Sequence, residues 1–430
     1  MEQKYNVLVF PAGTEIAFEI HAALRDNKLF KLYGATSEPC HANFLFGECF
    51  DGVPYADDPE VIDALNEIID YCNIDFVYPA HDSALVTLTA NQSRLHAKVV
   101  TSSPSTVMIC RSKKLTYSLL RYQNYCPKYW FSSEDVEEYP VFVKPAKGQG
   151  SVGAQRVNNK QELDRILSDG TEYVICEYLP GKEYTVDCFT DKDGKLRYVG
   201  KRTRERIRAG IAVRSRFVET DDLVNSIADH LNHVFKFNGA WFFQIKENAK
   251  GEPKLLEVAP RIAGTMGLSR NRGVNLPLLT LHNILGKNVE IITNSEEILL
   301  DRAFISRYAR GDFYYNTVYV DLDDTLIVDE RVNPMLIAFL HQAKDDGISL
   351  VLLTKHDGSI YCELADYYID PRLFDIIINV GEEDEKWKHI FNSSSIFIDD
   401  SFSERKKVKE KKNIPVFDVS MVDSLIDWRA

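Results

Sequence analysis

Short apolar strands alternate with amphipathic helices over the first hundred residues, and this alternation constrains the fold more than any other feature. The stretches "YNVLVFPAG", "FKLYGATS" and "IDFVYPAHD" are typical of strands, and "TEIAFEIHAALRDN" and "PEVIDALNEIIDYCN" carry apolar residues at helical spacing. Strand–helix–strand repetition predicts a parallel sheet with helices on both faces. Ligands of such sheets bind at the C-terminal ends of the strands, where Pro11, Ala12, Gly13 and Asp82 lie.

The pattern changes twice further along the chain. After the helical stretch "SPSTVMICRSKKLTYSLLRYQ", strands follow one another directly, with polar turns such as "TDKDGKLR" between them. From residue 316 the strands "TVYVDLDD", "ISLVLLTK", "DIIINV" and "SIFIDDS" again alternate with helices. We therefore predict a multidomain protein of α/β and α+β class, with a Rossmann-like domain at 1–103, a central domain at 104–312 and a three-layer α/β/α domain at 316–430.

Composition narrows the class of protein and of partner. The chain has 430 residues, 45% of them hydrophobic, and a net charge of −13, which argues against binding the backbone of a nucleic acid. No window approaches 18 uninterrupted apolar residues, so we expect no membrane span. The eight cysteines include no CxxC pair, as expected for reduced thiols. We expect a cytoplasmic protein with small-molecule partners.

Residues that can bind the phosphates and the base of a nucleotide follow one another along the central segment. Lys144 ends an apolar strand and is followed by "AKGQGSVG", in which Gly148, Gly150 and Gly153 let the backbone approach a phosphate without Cβ clashes. A glycine-rich turn between strands also fits a plain hairpin. In "VICEYLPGKEYTVD", strand backbone near Tyr178 and Leu179 is suited to the edge of a base.

Two later strands carry candidate ligands for a metal and an anion. In "FFQIKE" and "LLEVAPRIAG", Gln244 and Glu257 are expected to project from one face toward a metal, and Arg261 lies just beyond, where it can pair with a phosphate or a carboxylate. The segment "GKRTRERIRAGIAVRSR" is rich in arginine. Either Arg202, Arg204 and Arg214 clamp a substrate anion, or the segment is an exposed basic strand pair.

This ordered set of residues resembles the ATP-grasp superfamily over residues 1 to 310. Within that superfamily it is most similar to the carbamoyl-phosphate-synthase-like and biotin-carboxylase-like branch. The resemblance implies ATP and Mg²⁺, or Mn²⁺ in its place, as cofactors. It implies a ligase that activates a small-molecule carboxylate as an acyl phosphate for attack by an amine, with Arg261 in the active site. It also makes a homodimer an expectation, because such domains commonly associate. The residues that it assigns to nucleotide and metal are Lys113, Lys144, Gly148, Gly150, Ser151, Glu177, Tyr178, Leu179, Glu183, Gln244 and Glu257.

Two positions depart from the pattern of the superfamily. Gln244 stands where many members have a second acid, and Ala259 stands where many have a metal-binding asparagine. These neutral residues leave a second interpretation open, in which the unit binds a nucleotide as a sensor without turnover.

Carboxylates cluster at predicted strand ends in the last segment. "DLDDT" supplies Asp321 and Asp323, "LVLLTK" ends with Thr354, and "IFIDDS" supplies Asp399 and Asp400. Carboxylates at neighbouring strand ends can hold one cation, and an aspartate beside it can attack phosphorus while another protonates the leaving oxygen. Lys386 or Lys388 would offset the negative charge between the nucleophile and the phosphate.

This second set resembles the haloacid-dehalogenase superfamily of phosphatases. The resemblance implies Asp321 as nucleophile, Asp323 as general acid and base, Thr354 as phosphate ligand, and Asp321, Asp323, Asp399 and Asp400 at the Mg²⁺ site. About 33 residues separate Asp321 from Thr354, too few for a cap domain, so the ATP-using module is a candidate cover. We expect a bifunctional ligase and phosphatase whose second substrate is a phosphorylated small molecule. The alternative is a ligase with a structural or regulatory C-terminal domain.

Overall fold

The structure, a computed structural model, describes residues 4–148, 150, 152–309 and 313–429. It divides into two compact units, Met1–Phe304 and Ile305–Ala430. Within the described ranges, no helix combines the length and the apolar composition needed to cross a membrane.

The first unit begins with a five-stranded parallel sheet in the order β3-β2-β1-β4-β5, as predicted. Side chains of β1 alternate between its faces, because Val7 and Val9 pack in one buried cluster while Leu8 and Phe10 pack in another. Both faces are therefore covered. The elements are β1 Tyr5–Phe10, α1 Glu15–Leu24, β2 Phe30–Ala35, the 3₁₀ turn His41–Phe44, β3 Glu48–Phe50, α2 Val61–Cys72, β4 Phe76–Pro79, α3 Asp82–Ala90 and β5 Lys98–Val99.

Two helices follow where the sequence predicts one helical stretch. They are α4, Pro104–Arg111, and α5, Lys113–Leu120. Ser112 separates them because its backbone is extended (φ −107°, ψ 107°) and its side chain accepts a hydrogen bond from the Leu115 N–H as the N-cap of α5. The break places Arg111 at the end of one helix and Lys113 at the start of the next.

The rest of the first unit is built mainly from antiparallel strands. One sheet has the order β6-β9-β7-β8, a second the order β11-β10-β14-β15, and a third the order β12-β13-β16. The first two contain β6 Tyr129–Trp130, β7 Val141–Pro145, β8 Gln155–Val157, β9 Tyr173–Glu177, β10 Glu183–Thr190, β11 Leu196–Thr203, β14 Gly239–Glu247 and β15 Pro253–Ala259. The third contains β12 Arg206–Arg208, β13 Ile211–Arg216 and β16 Leu299–Asp301.

Helices cover these sheets and close their core. Trp241 of β14 is fully buried and stacks on Phe237 with ring centroids 4.0 Å apart, against apolar side chains of the helix that precedes it. The helical elements are the 3₁₀ turn Ser133–Asp135, α6 Lys160–Leu167, α7 Asp222–Phe235, α8 Gly267–Asn271 and α9 Leu276–Ile284.

The second unit has its own five-stranded parallel sheet, in the order β21-β20-β17-β22-β23. The three central strands are almost completely buried and apolar, which is typical of a sheet covered on both faces. Its elements are β17 Thr317–Val320, β18 Ile327–Val328, β19 Arg331–Val332, α10 Pro334–Asp345, β20 Ser349–Thr354, α11 Ile360–Asp366, β21 Ile376–Asn379, β22 Ser395–Ile398, α12 Phe402–Lys412, β23 Val416–Phe417 and the 3₁₀ turns Pro371–Leu373, Lys386–His389 and Val419–Ser424.

Candidate functional site

One cleft in the first unit gathers nearly all of the predicted nucleotide and metal residues. Those that line it are Lys113, Lys144, Gly148, Gly150, Glu177, Tyr178, Leu179, Glu183, Gln244 and Glu257. They come from α5, β7, β9, β10, β14 and β15, from the loop after β7 and from the connection between β9 and β10, so the fold brings together residues that are up to 144 positions apart. Ser151, also predicted to bind the nucleotide, lies outside the described residues.

Lys144 is a buried cation with only neutral partners. Its side chain leaves β7 and its Nζ donates to the Tyr117 hydroxyl at 2.5 Å and to the Leu256 carbonyl at 3.1 Å. Burial raises the pKa of Tyr117 well above its usual range, so the phenol stays neutral. Among the described residues no carboxylate lies within 4 Å of this ammonium group. Its positive charge is therefore available to an anion in the cleft.

Lys113 and Arg111 converge on one carbonyl of the glycine-rich loop. Lys113 Nζ donates to the Gly148 oxygen at 3.3 Å, and Arg111 Nη1 donates to the same oxygen at 3.0 Å. Burial lowers the pKa of Lys113; Glu257 opposes this shift and the charge of Lys144 adds to it. The sequence analysis did not identify Arg111. Nothing in the sequence around Arg111 indicates a binding residue. Only the break between the helices at Ser112 brings its side chain to the same carbonyl as that of Lys113.

The other end of the cleft is formed by β9 and β10. The Glu177 carboxylate accepts a hydrogen bond from the Lys128 N–H at 2.9 Å, and the Tyr178 ring lies beneath the Arg156 guanidinium. Glu183 pairs with Arg204 at 2.7 Å and lies 3.8 Å from Lys246. Arg204 and Lys246 also line the cleft, so two further cations lie beside Glu183, one of the residues predicted to bind the nucleotide.

Gln244 and Glu257 face each other across neighbouring strands. They are directly paired in the register of β14 and β15, and both line the cleft. An amide oxygen and a carboxylate are the hard ligands that Mg²⁺ accepts, so the pair fits such an ion together with phosphate oxygens. In the part of the chain that the structure describes, Glu257 belongs to no cluster of three His, Cys, Asp or Glu ligands.

Two predicted anion clamps are already occupied within the protein. Arg261 makes a bidentate pair with Asp82, with Nε 2.6 Å from Oδ1 and Nη2 2.8 Å from Oδ2. Burial works against the charged form of Asp82, yet Arg261 holds the pKa of that carboxyl below its usual range. The prediction that Arg202 clamps a substrate is wrong, because its side chain is 1% exposed and pairs with the buried Asp187.

The third arginine of the predicted clamp lies in the basic strand pair. Arg214 of β13 pairs with Asp301 at 3.0 Å and with Glu205 at 3.4 Å, and it does not line the cleft. Of the two interpretations of this segment, the exposed basic strand pair therefore fits Arg214 better than a clamp on a substrate anion.

The second unit has a separate cluster at the C-terminal ends of β17 and β22. Lys386 Nζ lies 2.7 Å from Asp321 Oδ1 and 2.7 Å from Asp399 Oδ2, with all three side chains buried. Burial raises the pKa of Asp321 and of Asp399, and the proximity of Asp321 raises that of Asp399 further. Asp321, Asp399 and the exposed Asp400 can bring one oxygen each within 4.8 Å of one another, which fits a divalent cation.

The remaining predicted residues of this unit divide into those at the cluster and those beside it. Thr354 is buried at the end of β20, close enough to Asp321 to favour its charged form. The alternative Lys388 is half-exposed and pairs with Asp384, so Lys386 is the lysine of the cluster. The Asp323 carboxylate faces His356 Nδ1 at 2.9 and 3.0 Å and does not join the three-carboxylate cluster, contrary to the prediction that it contributes to the metal site.

Comparison with known proteins finds similarity to one superfamily. The family described as ATP-grasp in the biosynthetic pathway with Ter operon matches residues 169–301, and the D-Ala–D-Ala ligase C-terminus family matches residues 117–211. A D-alanine–D-alanine ligase from Clostridium botulinum is 28% identical over 145 residues, 30% of this chain and 48% of that protein. The matched segments thus span from about a third to a half of the length of the curated relatives.

Solved structures show the same fold. A biotin carboxylase from Campylobacter jejuni has a TM-score of 0.55 at 16% identity, covering 66% of this chain and 71% of its own. An L-amino acid ligase from Bacillus licheniformis has a TM-score of 0.52 at 18% identity, covering 67% and 76%. The family matches and these structures show that the first unit is similar to ATP-grasp proteins in sequence and in fold.

Proposed function

We propose that the first unit is an ATP-dependent ligase that joins a small-molecule carboxylate to an amine. The observation that carries this proposal is one cleft lined both by two lysines, the half-buried Lys113 and the buried Lys144, and by Tyr178 and Leu179 in the connection between β9 and β10. An elongated nucleotide needs two such surfaces, with its phosphates on the cations and its base against the backbone of this connection. Similarity to curated D-alanine–D-alanine ligases supports the bond type.

Each step of the reaction has residues suited to it. A carboxylate oxygen attacks the γ-phosphorus, the bond to ADP breaks and an acyl phosphate forms. An amine nitrogen then attacks the acyl carbon, and phosphate leaves with the amine proton. Lys113 and Lys144 offset the charge that moves between the phosphate oxygens. Gln244 and Glu257 would hold Mg²⁺, which when bound shields the phosphate charges.

The test is ADP release by the full chain with Mg²⁺ and a panel of carboxylates and amines. Lys113→Met should lower the rate by about 10²- to 10³-fold, because one preorganised donor to the transferring group is lost. Lys114→Met is the matched control, since this neighbouring side chain pairs with Glu172 at the surface and should leave the rate unchanged. Nucleotide binding without ADP release by the wild type would refute the ligase and favour the sensor that Gln244 and Ala259 leave open.

A second activity is favoured by the cluster in the second unit. We propose that this unit is a phosphatase for a phosphorylated small molecule, with Asp321 as nucleophile and Asp323 as the acid that protonates the leaving oxygen. Lys386, which contacts Asp321 and Asp399, offsets charge at the nucleophile. Asp321, Asp399 and Asp400 would hold Mg²⁺, which when bound polarises the phosphate. Thr354 would bind a phosphate oxygen.

Hydrolysis of an aryl phosphate in Mg²⁺ tests this activity. Asp321→Asn should abolish turnover, because an amide cannot attack phosphorus to form the covalent intermediate. Asp366→Asn, at an exposed position of α11, is the control for loss of one negative charge in the same unit and should keep the wild-type rate. Equal hydrolysis by wild type and Asp321→Asn would refute the phosphatase, and a structural or regulatory unit would then be the better description.

A further inference from the structure

A fully buried tyrosine lies behind Lys144 and is not among the residues that line the cleft. Tyr117 belongs to α5 and has no solvent exposure. Its hydroxyl donates to the Leu256 carbonyl of β15 at 2.7 Å, with the Leu255 carbonyl 3.2 Å away, and accepts a hydrogen bond from Lys144 Nζ at 2.5 Å. One side chain of α5 therefore joins a lysine of β7 to the backbone of β15.

The two strands that Tyr117 joins belong to different sheets. β7 lies in the sheet β6-β9-β7-β8 and β15 in the sheet β11-β10-β14-β15, so no ladder of backbone hydrogen bonds fixes the distance between them. Leu256 directly precedes Glu257, and both line the cleft together with Lys144. The contact with Tyr117 thus sets how far the Lys144 ammonium group lies from the carboxylate that is predicted to hold Mg²⁺.

The hydrogen-bond donors of Lys144 are divided between β15 and the cleft. An ammonium group has three N–H donors. Two of them are taken by the Tyr117 hydroxyl and by the Leu256 carbonyl at 3.1 Å, and the third has no acceptor among the described residues. Because the N–H bonds are tetrahedral, fixing two of them determines the direction of the third. This third donor is the one left for an anion in the cleft.

Tyr117 holds Lys144 without neutralising it. Burial raises the pKa of Tyr117 well above its usual range, so the phenol keeps its proton and carries no charge. A carboxylate would also hold the ammonium group but would cancel its charge. Lys386 of the second unit shows that other arrangement, with Asp321 and Asp399 each 2.7 Å from its Nζ. A neutral partner suits a lysine whose charge serves a phosphate.

We propose that Tyr117 is a positioning residue of the nucleotide site, which directs the free N–H of Lys144 to a phosphate oxygen and keeps it at a fixed distance from Glu257. The inference rests on the proposed function, in which Lys144 binds phosphate. Without the hydroxyl, only the Leu256 carbonyl holds the ammonium group. The remaining donors then lose their fixed direction, and Lys144 contributes less to nucleotide binding.

A double-mutant cycle on the full chain tests the inference. Displacement of a fluorescent nucleotide measures the affinity for a non-hydrolysable ATP analogue in Mg²⁺. Tyr117→Phe, which keeps the ring, should weaken binding by about 5- to 20-fold, and Lys144→Met by roughly 10- to 100-fold. Adding Tyr117→Phe to Lys144→Met should change the affinity by less than about twofold, because the hydroxyl then has no ammonium group to direct.

A second buried tyrosine provides the matched control. Tyr125 packs in the same apolar cluster as Tyr117, and its hydroxyl contacts His230 Nδ1 at 2.7 Å, away from the residues that line the cleft. Tyr125→Phe removes a buried hydroxyl from the same core and should leave nucleotide affinity unchanged. Urea unfolding followed by circular dichroism checks that each variant is folded.

The inference is overturned if Tyr117→Phe binds the analogue as tightly as the wild type. It is also overturned if Tyr117→Phe weakens binding equally with and without Lys144, which would show an effect of packing. Failure of the wild type to bind the analogue would overturn the nucleotide site, and the inference with it. Binding of the analogue without ADP release from ATP would refute the ligase alone and leave the role of Tyr117 in place.

Discussion

Two buried lysines, one in the cleft of the first unit and one in the cluster of the second, have surroundings of opposite character. Lys144 is 7% exposed, and among the described residues its ammonium group donates only to neutral oxygens, which leaves its charge for an anion. Lys386 is 3% exposed, and burial works against its charge, but Asp321 and Asp399 raise its pKa above the ordinary value. Two carboxylates around one ammonium group leave a negative balance, which Asp400 increases. The surroundings of Lys144 therefore favour an anion, whereas those of Lys386 already contain two acidic groups.

The pH dependence of stability should have a contribution from His21 of α1. Burial, with the charge of Arg25 adding to it, lowers the pKa of His21 to about 4. Both folded and unfolded chains carry neutral His21 above its ordinary pKa of about 6.5. Between that pH and about 4 only the unfolded chain gains the proton, so the free energy of unfolding should fall by up to ~1.4 kcal/mol per pH unit.

Urea unfolding at pH 7.5, 6 and 5 measures this effect. His21→Gln should remove part of the decline between pH 7.5 and 5, since the group that titrates is gone. His341→Gln, at an exposed position of α10, should leave the profile as it is in the wild type. An identical pH profile for His21→Gln and wild type would contradict the prediction.

At the scale of elements, close approach of the β9–β10 connection to β14 shapes the cleft. Gly181 N–H donates to the Glu247 carbonyl at 3.0 Å, and a Cβ at Gly181 would lie 2.6 Å from Glu247 Cβ and 2.8 Å from its carbonyl oxygen. The flanking residues Leu179 and Glu183 line the cleft, as does Gln244 of β14. The width of the cleft therefore depends on a contact that only glycine permits.

Gly181→Ala should separate these elements. We expect a loss of about 1–3 kcal/mol in the free energy of unfolding, because backbone must move to accept the methyl group. Affinity for a non-hydrolysable ATP analogue, measured by calorimetry, should fall with it. Gly47→Ala is the matched control, because a Cβ there would have no atom within 4 Å. Unchanged stability and affinity in Gly181→Ala would show that the connection is not constrained as described.

At the scale of the whole molecule, each buried cluster draws its residues from one unit. The two clusters around β17, β20 and β22 contain residues 318 to 426, and the other four contain residues 7 to 289. The two units therefore have hydrophobic cores with no residue in common, as expected of domains that fold independently.

A fragment of residues 313–430 should consequently fold alone. We expect a single cooperative urea transition followed by circular dichroism, since the fragment keeps both of its clusters. Phe339→Ala in the same fragment should lower the free energy of unfolding by about 3–5 kcal/mol, because Phe339 is buried in the larger cluster. A gradual transition, or one insensitive to Phe339→Ala, would show that the second unit depends on the first.

The amino-acid sequence by itself determined the local and repetitive features of this protein. The alternation of apolar strands with helices predicted the parallel sheets around β1 and β17. Strand ends indicated Lys144, Glu257, Asp321 and Asp399; the structure brings the first two into one cleft and the last two into one cluster, and their roles stay predictions. Only the tertiary structure decided which charges are free. Arg202, Arg261 and Arg111 look alike in the sequence, but folding pairs the first two with Asp187 and Asp82, whereas Arg111 has no carboxylate within 4 Å among the described residues. Coulomb energy depends on separation in space, which the order of residues along the chain does not contain.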